Sequence, residues 1–147
     1  MEQKATSIHT QQAPKPVGLY PHARRVGNLL FLSGIGPRDP ETNEIPGGVT
    51  LDEQGNIIDY DIEAQTHSVF RNVRTILEAA GSRWENLIDV TVFLINIRRD
   101  FETFNRIYAE YFRDVPHPPA RTTVEISRLP TPIAIELKCI AIAGGEQ

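Results

Sequence analysis

Two charged residues near the C-terminus are placed where chemistry is possible. Glu136 interrupts the run Ile133-Ala134-Ile135-Glu136-Leu137-Lys138-Cys139-Ile140-Ala141-Ile142, which otherwise reads as a buried strand. Period-two alternation puts Glu136 on one face with Ala134, Lys138 and Ile140, and leaves Cys139 on the other as inert core. A carboxylate in such a strand must be paired, hydrated or functional. Either it forms an ion pair with Lys138 or a nearby arginine, or it works as a base. Arg121, in Pro119-Ala120-Arg121-Thr122-Thr123, enters a strand behind a rigid Pro-Pro turn. Its planar fork suits a carboxylate ligand; a plain surface arginine is the alternative. Ser33-Gly34-Ile35-Gly36 is a third feature, a glycine-bearing strand end. It is either small enough for a ligand to approach the backbone or simply a tight strand exit.

Other chemistries lack their signatures. His9, His22, His67 and His117 are scattered and Cys139 is alone. No pair has metal-ligand spacing, so no metal is expected. No phosphate cradle or nucleophile elbow occurs, and no cofactor is expected.

The elements that must position these residues follow from periodicity. Residues 1–16 read as a loose polar lead, with one domain over 17–147. Val17–Ala23 is short, apolar and broken by Pro21. Asn28–Ser33 is a continuous apolar run, expected as a strand covered on both faces. Residues 37–60 are turn-rich and expected to hold a small hairpin with Gly55-Asn56 at its turn. That excursion either lies at the surface or shapes a site. Asp61–Ala80 carries the clearest helical period, through Ile62, Val69, Phe70, Val73, Ile76 and Leu77. Asp59 or Asp61 is expected to cap it, Gly81 to end it, and Gln65, Arg71 and Glu78 to face water. Asn86–Asn96 is a β-branched strand. Asp100–Phe112 is a second helix, with Asp100 as its cap and an aromatic face (Phe101, Phe104, Tyr108, Tyr111, Phe112) read as core. Arg121–Ile126 and Ile133–Ala143 complete the order β, β, α, β, α, β, β. This is an α+β pattern, a mixed sheet with both helices packed on one face. Two helices hide one sheet face, so neighbouring copies are expected to bury the other.

Composition narrows the function. The 147 residues carry 19 acidic and 15 basic side chains, a net charge of −4. Non-specific nucleic-acid binding needs a basic face, so no nucleic-acid partner is expected. No apolar run approaches the roughly 20 residues of a membrane span. The polar N-terminus shows no signal peptide, and the lone cysteine cannot form an internal disulfide, so the cytoplasm is the expected compartment.

The motifs also occur together in a recognisable order. Gly18-Leu19-Tyr20-Pro21-His22-Ala23, Val26 through Gly34, Asn72 through Ser82, Val90 through Leu94, Asp100-Phe101 with Asn105 and Tyr108, Pro119-Ala120-Arg121, and Leu129-Pro130 followed by Ile135-Glu136 span most of the chain. Across residues 17 to 143 it resembles the RidA/YjgF family of enamine/imine deaminases. The resemblance implies a chorismate-mutase-like subunit assembling as a homotrimer, with stacking into a hexamer left open, and with sites in the inter-subunit clefts. It implies that Arg121 grips a substrate carboxylate, that Glu136 positions or activates water, and that Tyr20, Ser33 and Gly34 line the same cleft. Several pieces depart from the common pattern: Pro21-His22 for Ser-Gln, Ile35 for Gln, Thr123 for a cysteine, and a longer 40–60 segment. With Asp52-Glu53-Gln54-Gly55 and Pro119 through Thr123, they are most similar to the branch that deaminates 2-aminomuconate, a dicarboxylate. A general deaminase of 2-iminobutanoate-like or 2-iminopropanoate-like acids, or a non-catalytic metabolite binder, are the alternatives. Arg24, Arg25, Arg38, His22 and the backbone near Gly34 are candidates for the second carboxylate.

Overall fold

A computed structural model describes residues 5–144. The main sheet has six strands: β1 (Ala5–Ile8), β2 (Ala23–Val26), β3 (Leu29–Leu32), β6 (Leu87–Leu94), β7 (Ala120–Glu125) and β8 (Ile135–Ile142). Their spatial order is β1-β2-β3-β8-β6-β7. All neighbours are antiparallel except β6 and β7, which run parallel and are joined by helix α2 (Ile97–Phe112). A parallel pair needs such a crossover connection. A separate hairpin, β4 (Val49–Leu51) and β5 (Ile57–Tyr60), precedes helix α1 (Ile62–Ala79). Both helices contribute to one core against the sheet, so the expected α+β architecture is the one observed.

Local chemistry explains the boundaries. Asp61 caps α1 by accepting from the Ala64 N–H at 3.0 Å, and Gly81 follows the helix at φ 79°. That left-handed turn suits a residue without Cβ. In the β4–β5 turn, Gly55 adopts φ 83° and the Asp52 carboxylate accepts from the Gln54 and Asn56 N–H groups. The hairpin expected around Gly55-Asn56 is therefore present.

Five expectations need correction. Residues 1–16 are not simply a loose lead: Ala5–Ile8 pairs antiparallel with β2, and Ala13 is buried. Besides the expected hairpin, three strands precede α1 rather than two. Strand β3 is covered on one face only within the subunit, because Leu30 and Leu32 are fully buried whereas Leu29 is 37% exposed. Asp100 does not cap α2. Asn96 does, accepting from the Arg99 N–H at 3.0 Å, while Asp100 is buried and accepts a hydrogen bond from the Tyr60 hydroxyl. Gln65 does not face water either: it is buried, and its Oε1 accepts from the Ala134 N–H at 2.8 Å.

Candidate active site

The cleft forms where β3 ends beside the start of β8. Ile35 and Leu137 exchange both backbone hydrogen bonds at 2.9 Å, which holds the 33–36 segment against β8. In that antiparallel register Gly36 stands across from Glu136, and the Glu136 side chain lies diagonally over Gly34. A Cβ on Gly34 would stand 2.6 Å from Glu136 Oε2, so only glycine leaves the carboxylate its position. Ser33 is fixed by two bonds, its Oγ donating to Pro21 O at 2.7 Å and its N–H to His22 O. Tyr20 closes one side, its hydroxyl accepting from the Val17 N–H. Pro130, Thr131 and Ile133 form the other wall. The cleft is open on one side and has a volume of about 180 Å³.

Burial pushes the Glu136 carboxyl above its usual range, because removal from water penalises the charged form. Among the described residues no cation lies within ion-pair distance of it. The alternative pairing with Lys138 is not made: Lys138 Nζ donates instead to Leu32 O. Cys139, as expected, is buried on the opposite face, and burial pushes its thiol up to about 12.

Five residues singled out from the sequence thus meet in one cleft: Tyr20, His22, Ser33, Gly34 and Glu136. His22 is a wall with no free polar atom. Its Nδ1 accepts from the Thr10 N–H at 3.2 Å and its Nε2 bonds Pro14 O at 2.7 Å, so both ring nitrogens hold the 10–14 loop. It cannot also bind a substrate carboxylate in this arrangement. Arg121 is not in the cleft. It pairs with Val90 on β6, which pairs with Cys139, and its guanidinium stacks over Tyr108 of α2 at 4.6 Å. Arg121 and Glu136 therefore occupy opposite faces of the sheet, two strands apart. Of the other basic candidates, Arg38 lines the cleft, whereas Arg24 and Arg25 do not. Lys15 lines it too and was not anticipated, because a single lysine between two prolines in a polar segment carries no periodic signal. Among the described residues no group of three or more His, Cys, Asp or Glu side chains is arranged to hold a metal ion.

A mixed sheet with two helices on one face and a carboxylate-bearing cleft at a glycine strand end defines the class of small α+β subunits that comparison with known proteins identifies. The family model described as Endoribonuclease L-PSP matches residues 10–143. A RutC family protein of Pyrococcus horikoshii is 44% identical over 134 residues, covering 91% of this chain and 94% of that protein. The YyfA structure from Yersinia pestis, described as a member of the conserved Rid protein family, superposes with a TM-score of 0.79 at 33% identity, covering 95% of this chain and 99% of that one. The structure of Escherichia coli TdcF with bound serine gives a TM-score of 0.79 at 32% identity, over 93% of this chain and 98% of that one. The chain belongs to the RidA/YjgF family, the family of the Endoribonuclease L-PSP model.

Proposed function

We propose that this protein hydrolyses the C=N bond of a small imino acid formed by tautomerisation of an enamine, and that 2-aminomuconate is the substrate. The observation that carries the reading is Glu136: a half-buried carboxyl, raised by burial, facing a cleft against Gly34 with no ion pair among the described residues. Such a group is suited to take a proton from water. Water adds to the imine carbon as Glu136 takes its proton, giving a carbinolamine. The proton then passes to nitrogen, the C–N bond breaks, and ketone and ammonia leave. Imine plus water balances ketone plus ammonia, and no step is assigned to a metal or cofactor.

The position of Arg121 supports a site shared between copies. It sits half-buried on the outer strand β7, while Phe31, Phe93, Ile140 and Ile142 leave the face away from the helices only partly covered. In a homotrimer, the β7 edge of one copy would bring Arg121 to the Glu136 cleft of the next, where it would anchor the carboxylate beside the imine. The serine bound to TdcF supports a ligand of amino-acid size. The ground for naming 2-aminomuconate in particular is the resemblance of the Pro21-His22-Ala23, Asp52 through Gly55 and Pro119 through Thr123 segments to the branch that deaminates it. A second reading, RNA cleavage, follows from the family description; the net charge of −4 argues against it.

The purified chain is expected to consume 2-aminomuconate with release of one ammonia per molecule. Glu136→Gln is expected to keep the fold and slow turnover roughly 10²–10⁴-fold, the usual contribution of a positioned base. Full turnover in Glu136→Gln would remove the base from the proposal. RNA cleavage without ammonia release would replace it.

A further inference from the structure

Two cations in the Glu136 cleft take no part in the hydrolysis described above. Lys15 and Arg38 both line it, and among the described residues Glu136 is the one acidic side chain in its wall. Neither cation forms an ion pair among the described residues. The cleft therefore carries net positive charge whether Glu136 is protonated or not.

Both cations are carried on backbone that is held from several sides. Lys15 stands between Pro14 and Pro16. His22 Nε2 bonds Pro14 O at 2.7 Å, and buried Ala13 anchors the same loop. Arg38 is held through its main chain and that of its neighbours. Asn72 Nδ2 donates to Arg38 O at 2.9 Å and to Gly36 O at 3.0 Å, and Ser68 Oγ donates to Pro37 O at 2.6 Å. One arm of the guanidinium donates to Asn43 O at 2.7 Å, which orients the rest of the fork. The Arg38 fork, oriented by Asn43 O, binds an anion with less ordering cost than a free side chain does, and exposed Lys15 adds its charge from a held loop.

We propose that Lys15 and Arg38 form an anion subsite in this cleft, which takes the carboxylate of the substrate remote from the imine. This deepens the deaminase reading above and rests on it. The substrate class is then a dicarboxylic imino acid: one carboxylate anchored by Arg121 from a neighbouring copy, the other by Lys15 and Arg38, and the imine carbon between them near Glu136. At about 180 Å³ the cleft is smaller than the roughly 300–1,000 Å³ sites of drug-sized ligands, which suits a short acyclic acid. The arrangement assigns the choice between one and two carboxylates to residues outside the catalytic pair. His22, which leaves no nitrogen for the ligand, acts indirectly by holding the loop that carries Lys15.

The test compares Lys15→Gln, Arg38→Gln and the double variant with the parent chain. Turnover is measured on 2-aminomuconate and on 2-iminopropanoate generated in situ. Calorimetric binding is measured with muconate, a dicarboxylate, and with sorbate, its monocarboxylate counterpart. Each single variant should raise KM for 2-aminomuconate and Kd for muconate on the order of 10- to 100-fold more than for the monocarboxylates, the range of a charge-assisted contact. Equal losses on both classes, or no loss, would overturn the subsite. If the parent chain releases ammonia from neither imine, the deaminase reading fails, and the muconate–sorbate comparison alone still decides the subsite. Lys15 is exposed, so its variant folds independently of any effect at half-buried Arg38.

Discussion

At the scale of single residues, burial acts on Glu136 in two opposite directions. Its proton is held more tightly in the folded subunit than in the unfolded chain. Stability therefore declines as pH rises from the ordinary glutamate value of 4.5 through the raised folded value. Activity moves the other way, because the base is lost as pH falls through the folded value. The acid limb of kcat/KM for ammonia release should consequently have its midpoint above 4.5, and Glu136→Gln should remove that limb. An acid limb that persists unchanged in Glu136→Gln would assign the titration to another group. Most of this site was legible in the sequence, since an acid in an apolar strand and a Ser-Gly strand end are local signals. His22 and Lys15 were not legible in the same way. Their roles depend on how the 10–16 loop folds back over β2, a non-local contact that no spacing announces.

At the scale of elements, tertiary partners override the sequence pattern for particular polar residues. Helical periodicity assigns Gln65 to the polar side of α1, yet the entry to β8 needs an acceptor there for the Ala134 N–H. An N-cap pattern assigns Asp100 to a helix start, yet α2 begins a turn earlier at Ile97 and carries Asp100 inward to Tyr60. Periodicity records polarity but not the partner across the core. The Tyr60–Asp100 contact ties the β4–β5 hairpin to α2, and Arg99 reinforces it by stacking over the Tyr60 ring at 4.2 Å and pairing with Asp59 at 3.1 Å. Burial raises the Asp100 pKa, and the Tyr60 hydroxyl and Arg99 oppose that rise. Tyr60→Phe should therefore cost about 1–3 kcal/mol in urea unfolding, the penalty for leaving a buried acceptor short of its donor. Adding Asp100→Asn to Tyr60→Phe should recover part of that loss by removing the buried charge. A stability unchanged in the single variant would show that the hairpin is held by Arg99 and packing alone.

At the scale of the whole molecule, the helices, the hairpin and the last three strands could be read from periodicity, whereas the strand order could not. The β3–β8 and β6–β8 pairings join segments far apart in sequence, and they are what place Gly34 against Glu136 and send Arg121 to the outer edge. If Arg121 and Glu136 serve one substrate as proposed, that separation makes the proposed trimer a functional requirement rather than a packing preference. A copy alone would hold a base without its carboxylate anchor. Mixing two inactive variants tests this directly. Arg121→Ala retains Glu136, and Glu136→Gln retains Arg121. If each site takes Arg121 from one copy and Glu136 from the next, refolding the two variants together at equal ratio leaves both residues intact at about one site in four, the product of two even chances in a closed ring. Ammonia release should then recover to about a quarter of the parent rate per site, while either variant refolded alone stays inactive. The recovered activity should also fall on dilution as the ring dissociates. A mixed preparation that elutes as an assembled oligomer and yet stays inactive would show that Arg121 and Glu136 do not serve one substrate, and would leave Lys15 and Arg38 as the cations that line the cleft of the base.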